Sequence, residues 1–122
     1  MPQPPLDEQR EQRIAMEIIA DANGPEEQAM GWYTYLEENL EFPFLTRCIR
    51  ERAISPLCVG DEVEVIGLGP QEECAHEMFV LTRWDPHDLA VPLSQLEATV
   101  ADEQTIQAVE DWQYWVQQGY EL

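Results

Sequence analysis

The sequence predicts an α+β fold: two N-terminal helices, a small and strongly curled antiparallel sheet close to an SH3-like barrel, and a C-terminal helix. Three observations carry that reading. Apolar residues recur at helical spacing up to Leu40 and again from Ile106 to Val116. Between them the period drops to simple alternation, as in Glu62-Val63-Glu64-Val65. Glycine and proline punctuate that middle section, where short strands need turns. At 122 residues and 44% hydrophobic content the chain fits one compact domain over its whole length, with residues 1–12 partly flexible. Four Trp, four Tyr and three Phe argue against disorder despite the high charge.

The first helix is expected from about Leu6 to Ala22. Ile14, Ala15, Ile18, Ile19 and Ala22 form its apolar stripe, with Arg10 and Arg13 among the acids on the outer side. Asn23-Gly24-Pro25 ends it: Asn or Gly suits a left-handed C-cap, and Pro25 suits the first turn of the next helix. That second helix is expected to continue to about Glu41, with Ala29, Trp32, Tyr33, Leu36 and Leu40 inward, until Phe42 and Pro43 stop it. Strands follow in "FLTRCIR" (Phe44–Arg50), "PLCVGDEVEVIGLG" and "EMFVLTRW" (Glu77–Trp84). A turn in "DPHD" leads to a short strand "LAVPL" (Leu89–Leu93), whose Pro92 places it at an edge or a strand end. The last helix runs from about Asp102 to Gln118. Ile106, Ala108, Val109, Trp112, Trp115 and Val116 make its apolar side, opposite Glu103, Gln107 and Glu110.

Twenty-five acids face six bases, all of them Arg, for a net charge of −19. The excess is spread along the chain, and only Arg47–Arg52 is locally positive. Such a surface repels nucleic acid and anionic membranes and attracts cations or basic protein surfaces. "MPQPPL" has neither a basic nor an apolar signal-peptide region, and no run reaches the roughly 18 apolar residues of a membrane span. A cytoplasmic, monomeric protein with no nucleic-acid or membrane partner is expected. Cys48, Cys58 and Cys74 are odd in number and lack paired spacing, so they read as reduced thiols. The same irregularity argues against a zinc site made from them with His76.

Within "GWYTYLEENLEFPF" (Gly31–Phe44), Glu37, Glu38 and Glu41 crowd one side of a helix end with no base to offset them. On a continuous helix they fall within about 100° of one another, and Glu37 and Glu41 form a like-charge i, i+4 pair at the negative end of the dipole. A bound cation would cancel both penalties, with Asn39 and free terminal carbonyls as further oxygen donors; a solvated acidic face would account for the cluster equally well. Asp102 and Glu103 are a second candidate pair, although N-capping alone explains them. Glu72 and Glu73 read as loop residues, and Glu62 and Glu64 as the solvated face of a strand. Several carboxylates on flexible termini suit Ca²⁺ rather than Mg²⁺ or Zn²⁺. No EF-hand is present: "DANGPEEQAMGW" (Asp21–Trp32) places Gly two positions early and Trp32 where the bidentate Glu belongs. A calcium site must therefore be assembled from separate elements. Two Ser and two His, His76 and His87, occur without any hydrolase, metalloprotease or phosphate-loop pattern, so no enzyme is expected.

Taken in order, "GPEEQAMGWYTYLEENLEFPF", "SPLCVGDEVEVIGLGP", "EMFVLTRW", "LAVPLSQLE" and "EDWQYWV" resemble the small cyanobacterial calcium-binding proteins of the CcbP type, over roughly Ile14 to Tyr120. The resemblance implies a Ca²⁺ binder without an EF-hand that sequesters or senses calcium in the bacterial cytoplasm. One departure is Cys58 after "SPL", where a basic residue is common in the family; it touches no carboxylate. The expected metal ligands are Glu37, Glu38, Asn39, Glu41, Asp102 and Glu103. The alternative is an acidic interaction module that docks a basic protein partner or mimics nucleic acid.

Overall fold

A computed structural model describes residues 7–20, 22–84 and 86–120. Helix α1 spans Glu8–Arg13 and passes directly into a π-helical turn, Ile14–Ile18; α2 spans Pro25–Asn39 and α3 spans Glu103–Gln117. Five strands lie between α2 and α3: β1 (Phe44–Cys48), β2 (Glu62–Leu68), β3 (Phe79–Trp84), β4 (His87–Pro92) and β5 (Leu96–Val100). All pairings are antiparallel, in the order β4-β3-β2-β1-β5, so β4 and β5 are the edges of an open sheet. The expected α+β class and the order of helices around the sheet hold, although the sheet is open rather than closed like a barrel, and Pro92 both ends a strand and sits on an edge.

Several element boundaries move. The first helix is interrupted after Arg13 and its π-helical continuation ends at Ile18, short of the expected Ala22; its expected start, Leu6, lies outside the described residues. Helix α2 stops at Asn39 rather than Glu41: Leu40 turns to extended backbone (ψ 126°) and sinks its side chain into the core at 5% exposure. β5 has no counterpart in the expected strands, although Leu96, Ala98 and Val100 alternate. β1 leaves the α2 end and returns beside β5, pairing Thr46 with Ala98 and Cys48 with Leu96. That pairing carries the chain from β5 back to the end of α2 just before α3 begins.

The core joins one sheet face to α2 and α3. Trp32 of α2 meets Trp112 of α3 edge-on at 5.0 Å, and Trp115 stacks on Trp112 at 5.5 Å. Both helices also share a buried polar centre. Asp111, fully buried in α3, accepts hydrogen bonds from Arg13 Nε (3.2 Å) and Nη2 (2.6 Å) and from the Tyr35 hydroxyl (2.6 Å), with Arg10 Nε at 3.4 Å. Arg10 and Arg13 therefore turn inward instead of lying on the outer side. A buried carboxylate demands compensation, and α1 is positioned to supply two guanidinium groups. The Tyr35 hydroxyl is pushed up to about 12, by burial first and then by its bond to Asp111.

Candidate metal centre

The end of α2 and the start of α3 meet at Thr105. Asp102 lies in extended backbone ahead of α3 and caps it, accepting from the Thr105 N–H at 2.8 Å. The Thr105 side chain is buried and reaches back to the other helix. Its Oγ1 accepts from the Glu41 N–H at 3.0 Å and donates to the Asn39 carbonyl at 3.4 Å. Beside it, Gln104 Nε2 donates to Asn39 Oδ1 at 2.6 Å while Asn39 Nδ2 donates to the Tyr35 carbonyl at 2.7 Å. One threonine and one asparagine thus close the frayed carbonyl end of α2 against the amide end of α3.

This clasp brings Glu41 and Asp102 together. Their exposed carboxyls face each other closely enough to interact. Glu41 is pushed up by Asp102 facing it, and Asp102 is held down, chiefly by its bonds to Thr105. Two acidic groups from separate elements share one place, with no base beside them in this local environment. The clasp holds hard oxygen donors: the two carboxyls, and the Asn39 carbonyl and side-chain oxygens, which accept from Thr105 and Gln104. That donor set fits a calcium ion, which takes oxygen ligands in loose geometry and would replace like-charge repulsion with attraction. Among the described residues, no three His, Cys, Asp or Glu side chains gather into a cluster ready to hold a metal.

The remaining expected ligands are placed differently. Glu38 and Glu103 are exposed residues next to Asn39 and Asp102 in the chain, with no side-chain hydrogen bond or ion pair among the described residues. Glu37 faces away, towards the Tyr33 hydroxyl, which is raised by burial first and then by Cys74, Glu37 and Glu72. The expected helical pair Glu37–Glu41 does not form, because α2 ends before Glu41. Asn39 closes the end of α2, with its amide nitrogen committed to the Tyr35 carbonyl. Thr105 and Gln104 were not among the expected residues, although Asp102-x-x-Thr105 has the spacing of a helix N-cap with its third-position partner.

Elsewhere the bland readings hold. Glu72 and Glu73 lie exposed in a short 3₁₀ turn between β2 and β3, Glu62 is exposed, and Glu64 pairs with Arg83 at 2.8 Å. Cys48 and Cys74 are buried and Cys58 is exposed, all three free, while His76 and His87 are exposed. Most of Asp21–Trp32 belongs to α2 and so cannot form a calcium-binding loop.

Comparison with known proteins identifies the family. A family model described as calcium binding, of the CcbP type, matches residues 12–116. The crystal structure of Anabaena CcbP is 39% identical over 100% of both chains, with a TM-score of 0.87. A structure described as a calcium-binding protein in the calcium-binding form is 40% identical over 95% of both chains, with a TM-score of 0.84. No curated protein matches the sequence. With a family match across most of its length and full-length likeness to a solved member, the chain belongs to the CcbP-type family of calcium-binding proteins.

Proposed function

We propose that this protein binds Ca²⁺ at the α2–α3 junction, outside any EF-hand, and sequesters it in the bacterial cytoplasm. The observation that carries the reading is the contact between Glu41 and Asp102, two acidic groups from different elements with Glu41 raised by its neighbour. Glu41 and Asp102 supply charge, and the oxygen atoms of Asn39, held in the same clasp, are candidate neutral donors. Glu38 and Glu103, exposed beside Asn39 and Asp102 in the chain, are the further carboxylates that could turn to the ion; Glu37 contributes only to the surrounding negative field. The ion supplies a positive centre, and no chemistry follows from its binding.

The clasp supports a buffer rather than a sensor that opens. Thr105 and Asn39 already hold the two helix ends, and the Trp32–Trp112 contact fixes the helices behind them. Helix ends already held together would let an ion bind with side-chain adjustment alone, unlike a sensor that exposes a new surface. Melting with Ca²⁺ and with Mg²⁺ at equal ionic strength tests the proposal. At a hundred-fold excess over the dissociation constant, Ca²⁺ should add about 2.7 kcal/mol, and Mg²⁺ much less. Equal, weak stabilisation by both ions would mean charge screening alone.

A further inference from the structure

The π-helical turn and α2 cross at Gly31, where an added Cβ would run into the Ile18 carbonyl oxygen. The crossing leaves a groove of about 530 Å³, floored by Ile18 and Gly31 and walled by Met16 and Met30, with Glu17 and Glu27 at its rim. Met30 also borders a second groove of about 260 Å³, formed with Ala29, Tyr33 and Ala75 and rimmed by Glu26. Met16 is 67% exposed and Met30 56%, whereas Met78 is fully buried. Single exposed apolar side chains are ordinary; two flexible thioethers across one groove that adjoins another form an adaptable apolar surface.

The charge around this surface selects what can cover it. No Arg lines either groove. Arg10 and Arg13 are turned to Asp111, Arg47 to Glu97, Arg50 to Gln113, Arg52 to Glu77 and Arg83 to Glu64. The acidic rim repels a second copy of this chain and anionic lipid, and complements a cationic peptide.

We infer that the paired grooves dock a basic amphipathic helix from a partner protein. Apolar anchors at i, i+3 or i+4, and i+7 enter the grooves against Met16 and Met30, and Lys or Arg residues face Glu17, Glu26 and Glu27. Met30 lies roughly 14 Å along α2 from Asn39, so this surface is separate from the calcium site and does not rest on it.

The test uses the full chain labelled with ¹³C in its methionine methyls. The probe is an amphipathic Leu/Lys helix of about 18 residues. Its controls are the Leu/Glu counterpart and a scrambled Leu/Lys peptide with no apolar face. Expected are micromolar binding of the Leu/Lys helix alone, weakening steeply with salt, and shifts of the Met16 and Met30 methyls while Met78 stays fixed. The double variant M16E/M30E should lose roughly ten-fold or more in affinity with unchanged circular dichroism and unchanged calcium binding. Equal binding of the scrambled peptide overturns the inference, as do unmoved Met16 and Met30 methyls, or self-association or zwitterionic-vesicle binding in place of peptide binding. Calcium affinity measured on the same samples keeps a failure here distinct from a failure of the calcium reading.

Discussion

Glu41 and Asp102 flank opposite ends of the two long helices and hold their carboxyls against each other, with Thr105 bonded to both residues. Each has a local structural reason to be where it is. Asp102 caps α3, and Glu41 gives its backbone N–H to Thr105. Neither reason requires Glu41 to be acidic. The negative charge at position 41 is therefore the part of the arrangement that structure alone leaves unexplained.

Asn is as good an N-cap as Asp, so the two duties of Asp102 can be separated. D102N should keep the cap, relieve the repulsion with Glu41 as E41Q does, and weaken calcium binding by roughly ten-fold or more. D102A should weaken calcium equally and also lose about 1 kcal/mol of stability with the cap. Denaturant unfolding and calcium titration of both variants check this. Undiminished affinity in D102N would confine Asp102 to capping.

The pair also fixes the sign of the acid response. Glu41 is raised in the folded protein, so its contribution to stability is present at low pH and is lost as pH rises through its folded value. Asp102 is lowered, so its contribution is present above its ordinary value and is lost as pH falls through its folded value. The two oppose each other, and the ion-free protein should show a shallow dependence on pH from this pair. Because Glu41 is raised by Asp102, calcium competes with a proton there, so affinity should begin to fall on acidification at a higher pH than for an unperturbed glutamate. Titration in buffers of different ionisation enthalpy, which reports the protons released, checks it.

Much of this was legible in the sequence, and the exceptions share a cause. Helical spacing placed Trp32, Leu36, Leu40, Val109, Trp112 and Trp115 in the core because burial on one helix face is a local pattern. The same reasoning extended α2 through Glu41, because Glu is a good helix former and nothing local marks Leu40 as the residue that leaves the helix. Leu40 leaves because its side chain and the path into β1 satisfy the core, which is a tertiary effect. Arg10 and Arg13 read as outer-face residues for the same reason: their partner, Asp111, is distant in sequence. The meeting of Glu41 with Asp102 depends on the β1–β5 pairing, and β5 carries only a short alternation.

The Asp111 centre makes α1 a structural part of the helix pair. R13M removes two hydrogen bonds to a buried carboxylate and leaves Arg10 as its nearest cation, so it should cost about 2–4 kcal/mol. Y35F tests the alkaline side. Tyr35 ionises at about 12 when folded, so its contribution is full below pH about 10 and is lost as pH rises towards 12. Discounted for partial solvent exposure, that loss amounts to about 1–2 kcal/mol, and Y35F should abolish it. Unfolding at a series of pH values measures both effects.

Thiol chemistry offers an independent check on the core. Cys48 and Cys74 are buried, and burial raises both thiols; Cys58 is exposed. A colorimetric disulfide reagent should label Cys58 rapidly and the other two only on unfolding, giving one fast group and two slow ones. Three equal rates in native buffer would contradict the core described above.

The most direct test of the central claim is calorimetric titration of Ca²⁺ into the wild-type protein and into E41Q. The substitution keeps the backbone N–H bonded to Thr105 and removes only the charge. E41Q should melt higher than wild type without calcium, because the repulsion with Asp102 is gone, and should lose a calcium-binding event or bind at least roughly ten-fold more weakly. An unchanged calcium isotherm in E41Q would show that the ion is held elsewhere.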